Sequence, residues 1–229
     1  MILYVNGDSH SAGAEAVNNY CFAEDDPNLR LSGRKPHPSN LAVSYGQKIA
    51  DSIGYELVCQ AESASSNDRI LRTTREYLKT NTPNLIIIGW STWEREEWFY
   101  NDQHWQVNAG GIGEDWPDAI KQRYREWIHD INYHQKEQEE HDKIWQLHLE
   151  LGDIPHLFFN SYLAFEFTDK KDWGINYLGP YDENQTYYHW LSNQGYHTVD
   201  PSSYHYGASA HQIWANHLTK HIKESIMIK

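Results

Sequence analysis

The sequence predicts an α/β protein built on a parallel sheet of five strands, and three observations point there. Near-continuous apolar runs such as "NLIIIGW" and "PHLFFN" read as strands covered on both faces. Stretches of helical periodicity separate most of these runs. Such alternation argues for parallel strands joined by right-handed crossovers.

The strands are expected at residues 2–5, 56–60, 85–89, 156–159 and 197–199. A first helix is expected from Ser39 or Asn40 to Ser52, with Ser39 as its cap, Leu41, Tyr45 and Ile49 on one face, and Gly54 after its end. A second covers 67–78 and stops before Pro83. The longest helical pattern lies between Pro117 and Leu151, carried by Ile120, Tyr124, Trp127, Ile128, Ile131, Ile144, Leu147 and Leu151, with a break near Asn132. A last helix follows Ala208 and carries Ile213, Trp214, Leu218 and Ile222. The aromatic, Gly- and Pro-containing segment at about 167–194 reads as a lid or insertion ending in a short helix.

At 229 residues the chain is expected to form a single domain, 1–229. A formal charge of −13 argues against a nucleic-acid partner, which needs clustered Lys and Arg. With a strand starting at residue 2 and no apolar run near the ~20 residues of a membrane span, a soluble, cytoplasmic protein without a membrane partner is expected. Two cysteines, Cys21 and Cys59, cannot build a disulfide framework. Ten Trp and 16 Tyr suit either core packing or faces that stack on flat ligands.

Ligands of an open parallel sheet bind where strands end at their carboxyl edge. That edge gathers "NGDSHS", "AESASSNDRI", "GWSTWERE" and "DPSSYHYGASAH", with Asn160 after the fourth strand. Ser9, at a strand-to-helix turn, has the exposed hydroxyl and free backbone N–H that an acyl-transfer nucleophile needs, and His205 is a base that can reach it from far along the chain.

These stretches resemble the SGNH, or GDSL-type, serine hydrolases, from Gly7 to Ala215 and with the blocks in the family's order. "GDSHS" matches the first block, and "YHYGASAHQIWA" resembles the last, with the two histidines six residues apart. The resemblance implies a three-layer α/β/α, flavodoxin-like fold with five parallel strands. It implies Ser9 as nucleophile and oxyanion donor, His205 as base and His211 as a structural histidine.

Three positions depart from the family's pattern. Ala64 stands where a glycine amide joins the oxyanion hole, and its N–H keeps that role where φ is negative. Ser91 replaces an asparagine donor, and loss of one such donor typically costs ~10²–10³ in rate. Ser202 stands three residues before His205, where the family has Asp, so the expected acid is Asp200, five before.

Trp90, Glu94 and Arg95 border this edge and are candidates for substrate contact together with Asn160. The cluster Glu94, Arg95 and Glu96 reads equally as an ion pair that anchors a loop. Trp93, Trp98, Trp105 and the aromatics from Trp173 to Trp190 extend the same edge, as a wall for a carbohydrate ester or as a cap on the sheet. His134, His141 and His148, seven residues apart, span about 10 Å of helix per step, too far to share an ion, and are expected on a solvated face. No metal or other cofactor is expected.

The first reading is therefore an esterase of small acyl esters, with an acetyl group on a sugar as one such substrate. Transfer to another alcohol would use the same residues. The reading from a different class is an SGNH-fold binding or structural module that has lost catalysis, and the blocks also resemble hydrolase-like proteins of tailed phages.

Overall fold

The computed structural model describes residues 1–23 and 30–226. Four parallel strands form the sheet: β1 (Ile2–Gly7), β2 (Glu56–Cys59), β3 (Leu85–Trp90) and a last strand, β6 (His156–Asn160), in the order β2-β1-β3-β6. Side chains alternate across the sheet because successive Cβ atoms point to opposite faces. Leu3, Val5, Leu85, Ile87, Leu157 and Phe159 therefore pack on one side, against the helices α3 (Tyr45–Ile53) and α8 (Ala208–His221). Tyr4, Ile86, Ile88 and Phe158 pack on the other, where α4 (Asn67–Leu78) and α6 (Tyr133–Leu151) contribute Ile70, Ile144 and Leu147. The result is a three-layer α/β/α arrangement with a core on each face. Each fully buried Leu, Ile or Phe stabilises it by roughly 1.5–3 kcal/mol.

The expected fifth strand does not form. Around 197–199 the only pairing among the described residues is an isolated bridge between Thr198 and Tyr206. The outer edge of β6 is taken instead by the aromatic segment: Phe158 N donates to Asn176 O at 2.8 Å and Leu178 N to Phe158 O at 2.9 Å. With Trp173, Tyr177, Tyr187 and Leu191 buried, that segment covers a sheet edge rather than forming a lid, and its short helix α7 is Tyr187–Asn193.

The helix expected from 39 to 52 divides into a turn, α2 (Pro38–Leu41), and α3, because Ser44 caps the latter by accepting from Gln47 N. Gly54 ends α3 in the left-handed conformation. The long pattern after Pro117 breaks at Asn132, whose side chain caps α6 through Gln135 N and separates it from α5 (Asp118–Asp130). An antiparallel hairpin, β4 (Arg95–Tyr100) with β5 (Gln103–Asn108), was not anticipated. Its two-residue turn is Asn101-Asp102, both at positive φ, residues that tolerate that conformation well. The hairpin and α5 enclose a third apolar cluster of Trp98, Trp105, Val107, Trp116 and Ile120.

The histidine face of α6 is not solvated throughout. His141 is buried, its Nε2 3.0 Å from Tyr181 Oη, and His148 Nδ1 lies 2.8 Å from His156 Nε2. His134 is exposed and stacks on Phe167. Among the described residues no helix is long and apolar enough to cross a membrane.

The short helix α1 (Ser9–Ala12) lies across the ends of β1 and β3. Gly7, at φ +150°, has no room for a side chain: a Cβ there would sit 2.7 Å from Gly89 O and against Ser11. Gly7→Ala is expected to destabilise the protein by about 3 kcal/mol, read from the urea midpoint at constant m-value.

Burial also makes a pH prediction. It pushes His10, His141 and His156 down to about 4 and His211 to about 3, so all four are neutral when folded. Below the ordinary histidine value of 6.5 the unfolded chain binds protons that the folded chain refuses. Stability is therefore expected to fall as pH drops from 6.5 towards 4, by up to ~1.4 kcal/mol per pH unit for each such histidine. Urea titrations across that range check the slope.

Candidate active site

Ser9 opens α1 directly after β1, and at 7% exposure it is buried where the turn was expected to expose it. Asp8 caps that helix: its Oδ1 accepts from His10 N at 3.0 Å and from Ser161 Oγ at 3.2 Å, so it braces the turn. Gly13, at φ 71°, ends α1 and sends the chain into a loop held by the buried Asn40, whose Oδ1 accepts from Val17 N and whose Nδ2 donates to Tyr20 O. That loop delivers Glu15.

Glu15 is the carboxylate at the imidazole. Its Oε2 lies 2.9 Å from His205 Nδ1 and also accepts from Ser203 Oγ at 2.5 Å. The hydrogen bond from His205, helped by Ser203, holds the Glu15 carboxyl below its ordinary value. This contact puts the imidazole proton on Nδ1 and leaves Nε2 as the acceptor. The ring of His205 also meets that of His10, centroids 5.4 Å apart, which places it over α1. Among the described residues no hydrogen bond joins Ser9 Oγ to His205.

Asp200, expected at that imidazole, makes no hydrogen bond or ion pair with it among the described residues. It is exposed, and Oδ1 accepts from the backbone N and hydroxyl of Ser202, so its carboxylate closes its own turn. Glu15 carries no spacing signal relative to His205; only the fold brings the two together. His211 is buried under α3, where its Nδ1 accepts from Tyr45 N at 3.3 Å, a structural position.

The second loop hangs on a buried ion pair. Glu62 and Arg69 meet at 2.5 Å, Glu62 also accepts from Gly33 N and Arg34 N, and Glu62 N reaches Gly7 O. Ala64 sits in this loop at φ +66°, the left-handed region that glycine favours, so the condition of a negative φ under which alanine replaces glycine freely is not met. The backbone thus adopts the conformation natural to glycine with a Cβ attached.

Ser91 is fixed by a reciprocal pair, its N donating to Asn67 Oδ1 at 2.9 Å and its O accepting from Asn67 Nδ2 at 3.2 Å. Arg95 Nη1 donates to Ser91 Oγ at 3.0 Å and lies 3.9 Å from Asp8 Oδ2. The Ser91 hydroxyl proton is thereby left to point elsewhere, with a guanidinium behind it.

The remaining expected contacts are mostly structural. Trp90 is fully buried against Phe158 and offers no wall to a ligand. Asn160 is buried too, its Oδ1 accepting from Tyr177 Oη and its Nδ2 donating to Pro180 O, so it anchors the aromatic segment. Trp98, Trp105 and Trp173 pack in the core, because indoles of this size bury more surface than they expose. Glu96 anchors the hairpin, accepting from Lys136 Nζ and the indoles of Trp98 and Trp127. Glu94 is exposed and lines, with Trp93 and Phe165, a cleft of about 530 Å³.

No family model and no curated protein matches this chain. Solved structures similar to it include a protein assigned to the G-D-S-L lipolytic family from Desulfitobacterium hafniense DCB-2, at 12% identity and TM-score 0.46, covering 96% of this chain and 98% of that one. An acetyl xylan esterase, Est2A, from Butyrivibrio proteoclasticus aligns at 10% identity and TM-score 0.46 over 97% of this chain and 63% of its own. A family two carbohydrate esterase from Clostridium thermocellum, in complex with cellohexaose, aligns at 14% identity and TM-score 0.44 over 97% and 63%. The chain thus spans less than two thirds of those two esterases. A phage origin gains no support from these neighbours.

The strain at Ala64 is testable. Ala64→Gly is expected to raise stability by about 0.5–1 kcal/mol in urea denaturation, since glycine relieves the left-handed penalty and gives back part of it in entropy.

Proposed function

We propose that this chain is a serine esterase of small acyl esters, with Ser9 as nucleophile, His205 as base and Glu15 as the acid that orients it. The observation that carries this reading is the contact of Glu15 with His205 Nδ1, because it occupies that nitrogen and leaves Nε2 as the one free to accept, with the ring against His10 of α1.

In this mechanism His205 Nε2 takes the Ser9 hydroxyl proton as Oγ attacks the ester carbonyl. The backbone N–H groups of Ser9 and Ala64 and the Ser91 hydroxyl donate to the oxyanion, and Arg95 adds positive charge behind Ser91. His205 then gives its proton to the departing alcohol oxygen. Water, deprotonated by the same nitrogen, attacks the acyl carbon; the bond to Ser9 Oγ breaks as His205 returns the proton to that oxygen, which releases the carboxylic acid and restores the free serine. Glu15 stays ionised throughout and steadies the imidazolium. Carbohydrate O-acetyl esters are the proposed substrates, in keeping with the carbohydrate esterases among the structural neighbours.

A binding module on the same fold is the second reading, favoured by the absence of a Ser9–His205 hydrogen bond among the described residues. Catalytic hydrogen bonds are often long without substrate, which keeps the esterase reading ahead.

The test is hydrolysis of p-nitrophenyl acetate, with a fluorophosphonate probe read by intact mass. Turnover is expected in the wild type, with one adduct that Ser9→Ala abolishes. Glu15→Gln is expected to lower kcat by ~10²–10⁴, whereas Asp200→Asn changes it less than about twofold. No adduct and no turnover above background would leave the binding module.

A further inference from the structure

The hairpin β4–β5 does more than cover the end of the sheet. Between it, Trp116 and the loop of Ala64 lies a cavity of about 530 Å³, a size typical of small-molecule sites. Ala64 is part of its wall, so the cavity borders the loop whose N–H is assigned above to the oxyanion.

Gln106 supplies the chemistry. Its side chain is only 6% exposed, and its amide orientation is set by Nε2, which donates to Ser63 O at 3.2 Å with Glu62 Oε1 at 3.4 Å. Oε1 is consequently buried, lies on a residue that lines this cavity and has no protein partner among the described residues. A buried acceptor left unpaired costs about 1–3 kcal/mol, which a ligand donor would recover. The charged lining side chains, Arg30 and Asp115, are bonded to each other, so the cavity does not select for ligand charge. Asn108, exposed, and the indole of Trp116 complete a surface suited to a neutral group carrying several hydroxyls.

We propose that this hairpin cavity is the sugar subsite of the proposed esterase, with Gln106 Oε1 accepting a ligand hydroxyl and Asn108 and Trp116 flanking it. The inference rests on the esterase reading for its role in turnover, but binding itself is measurable without catalysis.

The closing experiment titrates xylobiose and cellobiose into the full chain by calorimetry, alongside saturation-transfer NMR. At least one disaccharide is expected to bind with Kd on the order of 1 mM, as suits a single shallow subsite. Gln106→Met is expected to weaken it about tenfold. Asn108→Trp, which fills the cavity from an exposed position, is expected to do the same, with thermal melts showing both variants folded. For acetylated xylobiose, the ratio of its kcat/KM to that of p-nitrophenyl acetate is expected to fall about tenfold in each variant, a ratio that general damage to the site would not move. No disaccharide binding by the wild type, or equal binding by both folded variants, would overturn the subsite. Wild type that binds sugar through Gln106 but does not cleave p-nitrophenyl acetate would sink the esterase reading and leave the subsite standing.

Discussion

The close approach of α1 to the ends of β1 and β3 is the constraint on which the rest of the site depends. It is possible because Gly7 and Gly89 present no side chains there, and the space they leave is filled by Ser11, whose hydroxyl accepts from Tyr45 at 2.7 Å. The neighbouring Asn6 is tied to α4 through Ile70 O and Thr74 Oγ1. Ser9 is therefore positioned from both faces of the sheet at once. Packing that would otherwise concern only stability also fixes the backbone that carries Ser9.

Two of the residues that complete the site sit in the left-handed region without being glycine: Glu15 at φ 61° and Ala64 at φ 66°. Each costs of order 1–2 kcal/mol, and such a conformation persists only where its surroundings over-determine it. Here they do. Asn40 clamps the Glu15 loop from within, and the Glu62–Arg69 pair holds the Ala64 loop from below. Removing one partner from a buried pair of that kind leaves an uncompensated charge, so the loop has little freedom to relax.

Much of this architecture is legible in the residues. Unbroken apolar runs name β1, β3 and β6, and caps with their following glycines or prolines place α4 and the end of α3, because those signals are local. The fifth strand is not legible, since edge pairing with β6 is decided by competition between 197–199 and the aromatic segment, which only packing resolves. The hairpin did leave a signal in Asn101-Asp102, masked because Arg95, Glu96 and Glu97 open β4 with three charged residues in a row. Within the site, Ser9 and His205 stand in motifs, whereas the carboxylate at His205 Nδ1 belongs to Glu15 and not to the nearer Asp200, because a loop closed by Asn40 carries it there and no spacing encodes that. The tryptophans mislead because size and aromaticity are the same whether a ring faces a ligand or a core.

The hairpin carries its own apolar cluster, centred on Trp98, Trp105 and Trp116, separate from the two cores that hold the sheet. It is joined to the body by polar ties, chiefly the two hydrogen bonds of Arg72 to Glu97. A unit that is internally cohesive and externally pinned can exchange its outward residues with little penalty to folding. The exposed residues of 103–116 can therefore change while the sheet and the turn at Ser9 stay where they are, provided the buried Trp105, Gln106, Val107 and Trp116 are kept.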